Sequence, residues 1–181
     1  MKLSKLIFFS SLLILGFSSC SSDDDNSSSS ENYSATLAQL NSSGADGTVD
    51  VSLDGNNLTV NVEASGLVAD QPHPQHIHGK ADGSNGTCPP ASADADDNGI
   101  ITVPEGAPFY GAILLPLADF PVADEDGNIS YNRTFTLGEN GMPSADDLAT
   151  LENRVIVLHG LNNEGSYVAT IPVACGELTK N

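Results

Sequence analysis

Thr48-Val49-Asp50-Val51-Ser52-Leu53-Asp54-Gly55-Asn56-Asn57-Leu58-Thr59-Val60-Asn61-Val62 is the stretch whose reading decides the fold. Apolar and polar residues alternate on both sides of Asp54-Gly55-Asn56-Asn57, so each arm has the period of two that belongs to a half-buried strand. The Asp, Gly and Asn between them supply turn chemistry, and the segment reads as a β-hairpin. Working outward, residues 35–40 read as a strand that pairs with this hairpin. Further strand candidates follow at 75–79, 99–103, 110–117, 129–137, 154–159 and 166–178, separated by Gly, Pro, Asn and Asp clusters. Only Ser144-Ala145-Asp146-Asp147-Leu148 has an N-cap residue followed by an acidic first turn, which predicts one short helix ahead of Arg154. About eight antiparallel strands with turn signals between them predict an all-β Greek-key sandwich or barrel.

The N-terminus reads as an export and anchoring segment. Lys2 and Lys5 precede a mostly apolar run, Leu6 to Phe17, which is short for a membrane span, and Ser18-Ser19-Cys20 closes it with small residues. Small residues directly before a Cys resemble the lipobox of bacterial lipoproteins, here with Phe17 where that motif usually has Leu. The resemblance implies a signal peptide over 1–20 and a lipid on Cys20, with the lipid as the link to the membrane. The Ser- and Asp-rich segment 21–33 reads as a tether, similar to that of surface-exported lipoproteins, and 34–181 as one β domain. The implied location is the cell envelope, as an outer-membrane lipoprotein on either of its faces.

Removing residues 1–20 leaves Lys80, Arg133, Arg154 and Lys180 as the basic residues against all 24 acidic ones. That balance excludes nucleic acid as a partner, because phosphates are bound by Lys and Arg. It equally disfavours peripheral docking on anionic lipid. With Cys20 lipidated, Cys88 and Cys175 form an even pair in an oxidising compartment, and a disulfide is the expectation. It would close a loop of 87 residues, worth at most about 4–5 kcal/mol in the chain-entropy treatment. The alternative is two free thiols.

Three of the four histidines carry the chemistry. In Gln75-His76-Ile77-His78-Gly79 the two imidazoles share one face of a strand while Ile77 takes the other. His159 ends the apolar run Arg154-Val155-Ile156-Val157-Leu158-His159. Should that run lie beside 75–79, His76, His78 and His159 form a three-imidazole metal site suited to Cu(II), Zn(II) or Ni(II), with copper bound tightest. The alternative is three packed histidines without a metal. His73, between Pro72 and Pro74, reads as an exposed loop residue in preference to a fourth ligand. A second candidate is Asp94-Ala95-Asp96-Asp97-Asn98-Gly99 with Glu105. Its spacing matches a twelve-position calcium loop, with oxygens from Asp94, Asp96, Asn98, the Ile100 carbonyl and Glu105. Pro89-Pro90 and Pro104 argue against helices flanking it, and an ordinary acidic turn is the competing reading. No Gly-x-Ser-x-Gly, phosphate loop or free Cys–His pair points to a nucleophile, so no catalytic residue is assigned.

The order His-x-His, loop Cys, Val-Ile-Val-Leu-His, terminal Ala174-Cys175-Gly176 is similar to Cu/Zn superoxide dismutase, a Greek-key β-barrel. In that family the three corresponding histidines bind copper, and the loop Cys is bridged to the Ala-Cys-Gly strand. The chain looks closer still to bacterial lipoproteins carrying the CHRD domain, a dismutase-like sandwich. Those share His-Ile-His-Gly, Glu105-Gly106-Ala107-Pro108-Phe109-Tyr110-Gly111 and Leu-His-Gly. Two departures bear on function. No His lies between His78 and His159, so the bridging imidazole and zinc ligands of the enzymes have no counterpart; Pro172 stands where they carry the Arg that guides superoxide. The resemblance therefore implies copper holding without turnover. A copper-only superoxide dismutase and a metal-free extracellular adhesion module are the alternatives, and the protein or small-molecule partner stays open.

Overall fold

The computed structural model describes residues 30–148 and 150–181, so the signal segment, Cys20 and most of the tether lie outside the described residues. Nine strands form one continuous antiparallel arrangement: β1 (Glu31–Gln39), β2 (Asp46–Asp54), β3 (Asn57–Ser65), β4 (Gln75–Gly79), β5 (Ala112–Pro116), β6 (Ile129–Thr136), β7 (Val155–Asn163), β8 (Ser166–Glu177) and β9 (Thr179–Lys180). The strand order is β5-β4-β7-β8-β1-β2-β3-β6, with β9 added beside β1. The all-β class and the short helix α2 (Ala145–Leu148) agree with the sequence reading. The hairpin closes tightly, Asp54 opposite Asn57, so Gly55 and Asn56 form the turn. Strand β1 begins at Glu31, three residues inside the segment read as tether, because Tyr33 is buried and pairs with Val51.

Strand β1 joins the two halves. Its first part pairs with β2, while Ala38 and Gln39 pair with Cys175 and Ala174 of β8. Connections β3–β4, β5–β6 and β6–β7 then cross from one half to the other, which is the Greek-key solution to closing a sheet over its own apolar face. The inward residues of both halves, among them Val49, Val60, Val62, Ile77, Ile156, Leu158 and Val173, make one core. Strand β7 is apolar on both faces: Ile156 and Leu158 enter this core, while Val155 and Val157 face outward into a second, smaller cluster with Leu40, Tyr110 and Cys175.

What covers that outer face differs from the sequence reading. Residues 99–103 are not a strand, and Tyr110 does not begin one. Instead α1 (Val103–Tyr110) lies there, with Pro104 in its first turn and Pro108 inside it. A proline in the first turn lacks an N–H that has no intrahelical partner anyway. The capping box Thr102–Glu105 secures the start: Glu105 Oε2 accepts from the Thr102 backbone N–H at 2.8 Å and from its hydroxyl at 2.7 Å. The prolines therefore place a short helix after the acidic loop where they were read as excluding one.

Candidate metal centre

Strands β4 and β7 are antiparallel neighbours, with His76 opposite Val157 and Gln75 opposite Leu158. The His159 N–H donates to the Pro74 carbonyl at 2.8 Å. This carries His159 onto the outer face that His76 and His78 share. The ring centroids lie 5.5 Å (His76–His78), 5.1 Å (His76–His159) and 6.1 Å (His78–His159) apart. One nitrogen from each ring falls within 4.8 Å of the others. Bonds of about 2.0–2.1 Å to a common ion require nitrogens no more than about 4.2 Å apart.

The hydrogen bonds decide which nitrogens face the centre. His78 Nδ1 meets the Gly111 carbonyl at 3.1 Å, and His159 Nδ1 meets the Thr170 carbonyl at 2.9 Å. A carbonyl only accepts, so each Nδ1 carries the proton and each Nε2 keeps its lone pair. Those two Nε2 atoms, with His76 Nδ1, are buried and have no hydrogen-bond partner. Two buried lone pairs and a third buried ring nitrogen, all without partners, are costly in a protein interior. They are what a bound cation satisfies, with the backbone carbonyls orienting the rings from behind. Burial also keeps the rings neutral. It pushes His76 and His78 down to about 4 from an ordinary 6.5, with the neighbouring imidazoles adding to it, while the Gly111 carbonyl opposes it at His78. His159 is lowered by the same burial. Proton competition for the lone pairs is thereby weak at neutral pH.

The three histidines line a cavity of about 560 Å³ between α1 and the outer face of β4, β7 and β8. Val103, Ala107 and Tyr110 from α1, with Ile113 and Ala169, form its walls. The Tyr110 ring sits 4.7 Å from the His78 ring, centroid to centroid. Gly111 ends α1 at φ +83°, and a Cβ there would lie 2.2 Å from the Gly79 carbonyl oxygen. The residue that holds His78 can therefore only be glycine. Cys88 and Cys175 are joined, Cα atoms 5.7 Å apart, as expected. The bridge packs beside Ala107 and Tyr110, tying the loop before α1 to β8 under the helix.

His73 is not exposed, contrary to the sequence reading, nor is it a fourth ligand. It is fully buried, its Nδ1 2.9 Å from the His159 carbonyl and its Nε2 3.0 Å from that of Val68. Backbone bonds from Asp70, His73 and Ala123 lace the 68–74 segment to 121–123 and fold it inward. His73 braces the backbone of a site histidine, and its flanking prolines concealed that from sequence.

The acidic loop brings Asp94, Asp96 and Glu105 oxygens within 4.8 Å of one another. Most of these oxygens already accept hydrogen bonds. Asp94 takes the Asn98 and Gly99 N–H groups, and Glu105 Oε1 takes that of Ala95 at 2.9 Å. Asn98 Oδ1 accepts the Ile100 N–H at 2.8 Å, and the Thr102 hydroxyl and nearby backbone N–H groups lower the Glu105 pKa.

Fold and site together define a class: a β-sandwich with three histidines, two buried and one half-buried, whose ring nitrogens lie within 4.8 Å of one another on the outer face of one sheet. The profile of the CHRD domain matches residues 32–168, and the chain belongs to that family. No curated protein matches it.

Proposed function

We propose that this CHRD-domain protein holds a transition-metal ion, copper in preference, through His76 Nδ1, His78 Nε2 and His159 Nε2, and does so without turnover. The observation that carries the reading is the set of three buried, unpartnered imidazole nitrogens, two of them lone pairs whose tautomer a backbone carbonyl sets. Copper would supply the strongest binding to neutral imidazole, by the Irving–Williams order, and redox chemistry where a reductant reaches it. The chain's own residues orient the rings, keep them unprotonated and limit access to the cavity. Copper analysis of purified protein, alongside a His76→Ala/His78→Ala variant, tests this: one ion per chain is expected in the first and none in the second. Equal metal in both removes the proposal and favours the metal-free binding module.

A dismutase-like relationship and a copper-only superoxide dismutase activity form the second reading, favoured by the same three histidines. Against turnover stands the cavity lining, which contains no Lys or Arg, in a chain with 24 acidic residues. Such a field repels an anionic substrate and forgoes steering. Superoxide decay on the loaded protein no faster than with free copper rejects that reading.

The acidic loop supports calcium as a second, structural ion, since Glu105 as twelfth position lies in the first turn of α1. We further propose an envelope lipoprotein whose link to the membrane is the lipid on Cys20. Mass spectrometry of the mature N-terminus checks this, and an unmodified or internal N-terminus refutes it.

A further inference from the structure

We infer that the cavity beside the three histidines binds a small, neutral, apolar molecule that carries one nitrogen donor, of the aromatic azole kind, and presents that donor to the metal. This rests on the three-histidine reading and adds the ligand class. Three imidazoles leave a four-coordinate ion one position short, and all three histidines line the cavity. The volume, about 560 Å³, falls within the roughly 300–1,000 Å³ of small-molecule sites. Apart from the imidazoles and Thr170, the lining is apolar, with Pro74, Val103, Ala107, Tyr110, Ile113 and Ala169 as its main surfaces. Among the described residues four large apolar side chains are exposed, and two of them, Ile113 at 50% and Val103 at 39%, belong to this one cavity, while Val122 and Met142 lie elsewhere. No basic side chain is present to neutralise an anion there. A buried set of lone pairs beneath an apolar chamber thus selects a ligand with one polar point and an apolar body.

The test uses copper-loaded protein titrated with 4-phenylimidazole, imidazole and azide, followed by the copper ligand-field absorption. 4-Phenylimidazole should bind at least about tenfold tighter than imidazole, the gain that burying a phenyl ring supplies, and azide should bind weakest. Ile113→Asp and Ala169→Phe, which polarise and fill the cavity, should erase the advantage and leave one copper per chain. Equal affinity for the two azoles, or azide as the tightest ligand, overturns the inference while the metal reading stands. If copper does not load, the metal reading has failed, and calorimetry of 4-phenylimidazole with metal-free protein decides the cavity. Saturable binding that Ala169→Phe abolishes keeps the apolar site, and no binding ends it.

Discussion

Take the metal-free protein from pH 7.5 to pH 5. His78 is 3% exposed, and burial lowers it from 6.5 to about 4. The unfolded ring therefore accepts a proton near pH 6.5, while the folded ring resists until about pH 4. Below the unfolded value the unfolded state binds more protons, so stability is complete above pH 6.5 and is lost as pH falls through that window. At 1.36 kcal/mol per unit the full window is worth about 3 kcal/mol, of which about 2 kcal/mol is gone by pH 5. His76 and His159 act in the same direction, the former less because its ring is partly exposed. For a domain of this size about 2 kcal/mol lowers Tm by roughly 4–8 °C. Thermal unfolding with a chelator present, at pH 7.5, 6.5 and 5.0, should show that fall in the wild type and a shallower one in His78→Gln. The comparison cancels the carboxylates, which also begin to protonate near pH 5. Parallel pH profiles for the two proteins, or a wild type that gains on the variant as pH falls, would refute the burial account of this ring.

Three other outcomes follow from the geometry around the centre. Replacing Cys88 and Cys175 by Ala should lower stability to urea by up to about 4–5 kcal/mol and raise amide exchange in α1, which the bridge underlies; unchanged exchange there would detach the helix from the bridge. Gly111→Ala forces a Cβ against the Gly79 carbonyl at a positive φ and should cost more than the roughly 1–3 kcal/mol of the strained backbone alone, because backbone atoms must move. It should also weaken copper binding about 10–100-fold by disturbing the carbonyl behind His78, and unaltered affinity would show that this carbonyl does not orient the ring. Glu105→Gln should cost about 1 kcal/mol through the capping box and abolish any calcium-dependent rise in Tm, whereas a retained rise would place calcium elsewhere.

The periodicity of two carried most of what could be read from sequence. It located the 48–62 hairpin and set His76 and His78 on one face against Ile77, while the unbroken apolar run of β7 fits a strand buried on both faces. Convergence of His159 on the pair depended on strand adjacency, a long-range fact that no local pattern contains. Helix α1 was hidden for a different reason. Thr102-Val103-Pro104-Glu105 is a capping box followed by an early proline, a helix-start signal. The same Glu105 completes a calcium-loop spacing, and prolines more often break helices than start them. His73 was misread because prolines on both sides suggest an exposed loop, whereas the isolated pairing of Pro72 with Val122 draws that segment into the fold.

The motif from Glu105 to Gly111 then has one physical meaning. Glu105 caps the helix, Gly106 leaves room for the Tyr110 ring, whose atoms would lie 2.4 Å from a Cβ there, and Gly111 turns the chain while its carbonyl holds His78. Each residue either positions the helix over the outer face or closes the apolar wall above the imidazoles. Three buried, unpartnered ring nitrogens under such a wall each cost desolvation, which is what sets this face apart from an ordinary packed surface. On the proposed reading a bound cation would recover that cost, and a cavity lining without Lys or Arg fits holding such an ion for a neutral ligand better than delivering anions to it.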